Sequence, residues 1–294
     1  MAPRAAVARA TLLLLLAAAG FGSLAVLTVL GTRAGASLAL LMVGRYGLGA
    51  LLLGALAGWR ALRLPARQAG RLLVLGGGGQ TLVTLLSLSA LRWLPAATLG
   101  FLFYTYPAWV TLIAAARGQE RLDRWRLGAL VLSLAGIAVM VGAPGAGRMP
   151  LPGVVLALAA SVVYALYIPL LGRLQTVAGA RVASTYIAAG AGACFAVVGV
   201  AEGTLRLPQP AVVWGVIAVM GTLSTVGAFL AFLAGLKVLG PVRTAIMSTV
   251  EPFWTAVAAA VLLGQGLGGR TLVGGALIAT AVVVLARRGI PSTA

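Results

Sequence analysis

The chain has 294 residues, of which 61% are hydrophobic and 9% charged, against about 25% charged in a soluble domain, so a soluble fold is excluded and an integral membrane protein is left. There is no His and one Cys, so no disulfide within the chain and no Cys/His metal cluster can be built; neither a metal nor a cofactor is expected. The net charge of +18 reflects scarce acids (Glu120, Asp123, Glu202 and Glu251), and the bases are spread through short loops as in membrane proteins rather than gathered on a nucleic-acid-binding face.

Taken in order, apolar runs of the length a ~30 Å hydrocarbon core requires predict ten spans. The first five are Ala10–Leu30, Ala36–Ala57, Leu72–Leu91, Ala96–Ala116 and Leu127–Ala143. The second five are Gly153–Leu171, Val182–Ala201, Ala211–Leu236, Val242–Gly264 and Leu267–Ala286. Arg4 and Arg9 precede Leu12–Leu16 as in a signal peptide, but the apolar run continues to Leu30, so an uncleaved first span is expected. With the N-terminus inside, sixteen Arg and Lys residues fall on inner segments and five on outer loops. The positive-inside rule then predicts a multi-pass protein of the cytoplasmic membrane with both termini cytoplasmic.

The chain also matches itself. Shifted by 145 residues, Leu91-Arg92 falls on Leu236-Lys237, Leu94 on Leu239, Pro107 on Pro252, Trp109 on Trp254 and Leu122 on Leu267. Five spans per half is an odd number, so residues 1–145 and 146–294 are predicted to be inverted repeats in one all-α membrane domain. That is a transporter design, with its site between the halves near the midplane.

These words resemble the EamA-type members of the drug/metabolite transporter superfamily. The resemblance rests on Ser89-Ala90-Leu91-Arg92, Tyr106-Pro107, Gly118-Gln119-Glu120-Arg121-Leu122, Gly235-Leu236-Lys237 and Glu251-Pro252, with Gly22-Ser23 and Arg45 also fitting. One departure is Gly264-Gln265 where the family often has Gly-Glu. The resemblance implies a ten-helix secondary transporter, often an exporter of amino acids or related metabolites. It discourages cation export of the kind seen in the four-helix multidrug exporters, because the first span carries no acid.

Glu251 lies within an apolar span and is followed by Pro252. A charge at that depth costs about 2.5–3.5 kcal/mol on insertion scales, which makes it a functional candidate. It either carries a proton or holds a cationic substrate group, or it accepts hydrogen bonds from backbone freed at the proline. Pro107 and Pro252 each remove a helix donor and are the candidate hinges. Arg45 is the one base deep in a span. Helix rise places it about 18 Å, and Glu251 about 14 Å, from the inner boundary, so a structural pair with Glu251 is expected, with binding of a substrate carboxylate as the other role.

Gln80, Thr84 and Ser87 share a helix face, and their counterparts by the 145-residue shift are Thr225, Phe229 and Phe232. A polar wall opposite an aromatic one suits a small amphipathic organic molecule, although membrane hydroxyls often bond their own i−4 carbonyl instead. Tyr104, Tyr106, Tyr164, Tyr167 and Ser248 complete the candidate cavity, with packing or interface anchoring as the equally common role of the tyrosines. Gly76-Gly77-Gly78-Gly79 lacks the Gly-Lys-Ser/Thr of a phosphate loop and is read as close packing or a hinge. Gly54-Ala-Leu-Ala-Gly58 is a second packing candidate.

The expected partners are a small-molecule substrate, the lipid bilayer and, as candidate coupling ions, protons; no nucleic acid is expected, and the sequence does not set the oligomeric state. The competing class is a non-transport intramembrane protein, either a lipid-modifying enzyme or a channel-like partner. It is disfavoured because a single deep carboxylate and no His leave too few groups for catalysis.

Overall fold

The computed structural model describes residues 4–58, 60–90, 92–94, 96–118, 123–141, 150–207, 210–264 and 266–287. Leu91, residues 119–122 and Gln265, which belong to the motifs above, lie outside the described residues. Every regular element among the described residues is helical.

The first half runs through α1 (Arg4–Arg33), α2 (Leu38–Ala57) and α3 (Ala66–Arg71), then a π turn (Leu72–Gly78) leading into α4 (Gly79–Ala90). It continues with α5 (Ala96–Phe103), α6 (Tyr106–Ala116) and α7 (Arg124–Val141). The second half has α8 (Leu151–Ala178), α9 (Ala180–Ala201) and α10 (Ala211–Gly221), then a π turn (Thr222–Gly227) leading into α11 (Ala228–Met247). A 3₁₀ turn (Ser248–Val250), α12 (Glu251–Leu263) and α13 (Gly269–Arg287) complete it. Three helix starts recur at the 145-residue interval: Ala66 with Ala211, Tyr106 with Glu251, and Arg124 with Gly269.

Local chemistry sets the ends. The Ser37 hydroxyl accepts from Leu40 N at 3.1 Å and caps α2. Asp123 Oδ1 accepts from Trp125 N at 3.0 Å and Arg126 N at 2.8 Å ahead of α7. Gly58, Gly179 and Gly264 end α2, α8 and α12 at φ of 83°, 77° and 68°, which L side chains rarely adopt. Pro107 and Pro252 stand in the first turns of α6 and α12, where a missing N–H costs nothing. Both helices are therefore broken just before the proline, at residues 104–105 and at the 3₁₀ turn.

Seven helical runs among the described residues are long and apolar enough to cross a membrane, fewer than the ten spans counted from sequence. The run Ala211–Leu263 counts once at 53 residues, although Gly240 at φ 75° and ψ 171°, followed by Pro241, turns the chain inside α11. Helix α6, with 11 residues, is too short to cross alone because the chain leaves helical geometry between α5 and α6.

Packing crosses between the halves. Helix α1 lies on α11 and α12, and α8 lies on α4, α5 and α6; α2 packs against α9, and α7 against α13. Glycine permits the closest crossings. A Cβ on Gly77 would stand 2.5 Å from Gly190 Cα, and one on Gly274 would stand 2.4 Å from the Gly136 carbonyl oxygen. Gly54 leaves ordinary contact distances, and Gly58 serves as the cap of α2.

The apolar core is uneven. At the end where α1 begins and α13 finishes, Leu14, Leu72, Val110, Leu171, Leu236 and Leu285 belong to one continuous buried cluster. At the opposite end the buried apolar residues fall into separate groups, one around Leu41 and Phe195, one around Leu94 and Leu99, and one around Val26 and Ala258.

Candidate functional site

Between those separated groups lies a cavity of about 490 Å³, within the usual size range of small-molecule sites. Helices α1, α2, α4, α5, α8, α9, α11 and α12 all contribute to its wall. Thr28 and Val29 of α1, Leu38 of α2 and Ser87 of α4 are half-buried in its wall, and Leu171 of α8 and Leu233 of α11 are buried there. Leu171 and Leu233 belong to the continuous cluster. The buried core is thus continuous beyond Leu171 and Leu233 and divided into separate groups toward the other end.

Gln80, Thr84 and Ser87 line the cavity along α4. Thr84 Oγ1 donates to the Gln80 carbonyl and Ser87 Oγ to the Val83 carbonyl, both at 2.9 Å. Their protons are committed to the helix, so toward the cavity these hydroxyls present acceptor lone pairs. Facing them are Phe229 and Phe232 of α11, each edge-on to Phe21 of α1 at centroid distances of 5.7 and 6.0 Å. Tyr164 and Tyr167 form a third side. The Tyr167 hydroxyl donates to the carbonyl of Gly76, within the first π turn; such a turn displaces a carbonyl from its usual helical partner.

Four expected wall residues stand behind the wall instead. Tyr106 is fully buried, and its ring meets Tyr164 edge-on at 4.7 Å. Tyr104 packs edge-on against Phe103 at 5.6 Å, and it is Phe103 that reaches the cavity. Ser248 is buried in the 3₁₀ turn and Thr225 in the second π turn. Tyr106 follows the break at residues 104–105 that interrupts the helical face, and its hydroxyl donates to the Ala245 carbonyl at 3.4 Å.

Arg45 and Glu251 both line the cavity, but no ion pair within 4.0 Å joins them. The expected direct pair is replaced by other bonds for Arg45. Its Nε donates to Thr225 Oγ1 at 2.9 Å, its Nη1 approaches Met42 Sδ at 3.8 Å, and its guanidinium lies 4.4 Å from the Tyr46 ring centroid. Thr225 Oγ1 in turn donates to the Met220 carbonyl at 3.0 Å, five residues back. A buried cation of the first half is thereby tied to the π turn of the second. Glu251 has no side-chain hydrogen bond among the described residues, leaving its carboxylate to the cavity.

The Glu251 backbone is fixed from α1. Thr255 Oγ1 donates to the Gly22 carbonyl at 2.9 Å and lies 3.0 Å from that of Glu251, and Trp254 Nε1 donates to Ser23 Oγ at 2.9 Å. Sequence reading passed over Phe21, Phe103 and Ser184. Ser184 Oγ is buried at the wall without a hydrogen-bond partner among the described residues; its proximity to the cavity depends on α9 crossing Gly76 and Gly77, which only the fold reveals. Among the described residues no three His, Cys, Asp or Glu side chains gather in a metal-binding group.

The comparisons with known proteins bear on this arrangement. The model of the EamA-like transporter family matches residues 8–142 and again residues 151–287. The chain belongs to the EamA-like transporter family. It is therefore a multi-pass membrane transporter of the drug/metabolite transporter superfamily, with a small molecule as its substrate class. A search of curated proteins finds no match. Among solved structures the chain resembles one titled "Crystal structure of protein", at 24% identity and a TM-score of 0.79, covering 94% of this chain and 95% of that one. At that identity the likeness is one of fold, and it places the two EamA-like segments in an architecture known from experiment.

Proposed function

We propose that this chain is a secondary active transporter that exports a small organic metabolite, amino-acid-like or amphipathic, across the cytoplasmic membrane by alternating access. The observation that carries this reading is the central cavity, walled by both EamA-like segments, holding Arg45 and Glu251, and backed by a continuous core at one end only. A transporter caught in one of its two access states has this form.

The rest of the reading follows from the helix pattern. Splitting the Ala211–Leu263 run at Gly240–Pro241, and counting α5 with α6 and then α7, turns seven runs into ten spans. Residues 1–145 and 146–294 then form two inverted five-helix repeats. In support, α1 packs on the broken helix of the second half as α8 packs on that of the first. We read the end backed by the continuous core as sealed and the other as open; with sixteen Arg and Lys residues on the inner segments of the ten-span reading and five on its outer loops, the termini are cytoplasmic and the cavity faces outward. Switching closes the open end and opens the sealed end by movement at the breaks before Pro107 and Pro252. Glu251 carries the coupling proton and the aromatic side holds the apolar part of the substrate. With Glu251 the one acid and no His on the wall, the site suits binding rather than bond-breaking chemistry.

The test is counterflow in liposomes containing the purified chain, against a panel of amino acids, nucleosides and amines. Exchange of one class above protein-free liposomes is expected. Failure of every class, with the protein folded and inserted, would overturn the reading.

A further inference from the structure

A second cleft, of about 490 Å³, lies at the sealed end of the molecule, apart from the transport cavity. Its walls are Leu62 and Arg63 of the α2–α3 loop, Leu73 of the first π turn, and Thr185, Tyr186 and Ala189 of α9. The loop is pinned over it, because Tyr186 Oη donates to the Leu62 carbonyl at 2.7 Å. Arg181, one turn below Thr185, donates through Nη1 to the Leu56 carbonyl at 3.4 Å, which holds a second guanidinium beside the same loop.

The cleft has two chemistries along its length. Arg63 on the wall and Arg181 beside the loop are exposed, and Arg60, Arg67 and Arg71 lie on the same loop and on α3. The acids among the described residues are Asp123, Glu202 and Glu251, and none lines the cleft. Leu73 and Ala189 of the wall are exposed apolar surface, and Val74 beside Leu73 is exposed as well. Ala189 lies about 14 Å along α9 from its start at a rise of 1.5 Å per residue. The cleft therefore begins at the membrane boundary and runs into the hydrocarbon.

We infer that this cleft is a binding site for an anionic phospholipid, its phosphate held by Arg63 and Arg181 and an acyl chain laid along Leu73 and Ala189. Guanidinium groups match phosphate oxygens in geometry as well as charge. A basic pocket between spans at one membrane face is the form such sites take. The apolar inner wall selects a lipid over a free anion, and the uncompensated arginines select an anionic over a zwitterionic headgroup.

The test is native mass spectrometry of the full chain, purified in detergent and offered equal amounts of phosphatidylglycerol and phosphatidylcholine. Wild type is expected to retain phosphatidylglycerol in preference, and that preference is expected to fall by about fivefold for each arginine removed in Arg63→Gln and Arg181→Gln. Ala189→Trp, which fills the apolar end and leaves every charge in place, is expected to lower retention as well. Arg33→Gln and Arg270→Gln, at the open end, are expected to leave it unchanged. Equal retention of the two lipids by wild type, undiminished preference in the Arg63→Gln/Arg181→Gln double variant, or competition by glycerol phosphate as effective as by the intact lipid would each overturn the assignment.

Discussion

Gly22 of α1 lies so close to Glu251 of α12 that a Cβ at position 22 would stand 2.7 Å from the Glu251 carbonyl oxygen. The obstructing atom is backbone, so it cannot rotate aside. Gly22→Ala must push α1 from the first turn of α12 and disturb the Thr255–Gly22 and Trp254–Ser23 hydrogen bonds. The expected cost is about 1–3 kcal/mol, typical of overpacking in a close-packed core, read as a lowered melting temperature in detergent. Because the carboxylate is carried on that turn, counterflow should fall with it. Unaltered melting and exchange would show that α1 does not hold Glu251.

Glu251→Gln separates two roles of that carboxylate. The amide is nearly isosteric and cannot ionise. If Glu251 carries the proton, flux driven by a pH gradient should disappear while substrate exchange at equal pH persists. If Glu251 instead supports the break before Pro252, the folded yield should drop. The open position of its carboxylate in the cavity favours the first outcome. Normal yield together with full pH-driven flux would remove Glu251 from both roles.

The two prolines were legible in the sequence because proline acts locally: it lacks an N–H wherever it stands. The π turns at Leu72–Gly78 and Thr222–Gly227 were not. The first is Leu-Leu-Val-Leu-Gly-Gly-Gly and the second Thr-Leu-Ser-Thr-Val-Gly; the Leu, Val and Gly they share are common throughout the chain and mark neither. The shift of 145 would place the second at residues 217–223, five residues early for its start. Tyr104 and Tyr106 illustrate the same limit in the site. Residue spacing gives a face only while the helix continues, and the break at 104–105 interrupts it. Phe21 escaped notice because α1 is apolar on every side and no face of it stands out.

The link from Arg45 to Thr225 predicts non-additivity. Thr225→Val keeps the shape nearly unchanged but removes the acceptor for Arg45 Nε, at an expected cost of about 1–2 kcal/mol. Arg45→Met removes the donor. In a double-mutant cycle scored by thermal unfolding, the second change should cost less once the first is present. Strict additivity would mean that the 2.9 Å contact does not tie the two halves together.

Within the four-glycine run, neighbouring substitutions should act in opposite directions. A Cβ on Gly77 would meet Gly190 Cα at 2.5 Å, the Gly190 carbonyl carbon at 2.6 Å and Ala191 N at 2.7 Å, so Gly77→Ala must separate the first π turn from α9. A Cβ on Gly78 would meet nothing within 4 Å, and Gly78→Ala should add about 0.5–1 kcal/mol by lowering the entropy of the unfolded chain. Equal thermal shifts for the two variants would contradict the close crossing of α9 over this run.

Arg92 and Lys237 test the inversion of the halves. The 145-residue repeat matches them, and both are exposed. If the halves are antiparallel copies, these matched residues lie on opposite membrane faces. In a Cys194→Ala background, Arg92→Cys should react with an impermeant maleimide added to intact cells. Lys237→Cys should react only after the membrane is opened. Labelling of both from the same side would remove the inverted repeat, and with it the reasoning that sets one end of the cavity outward.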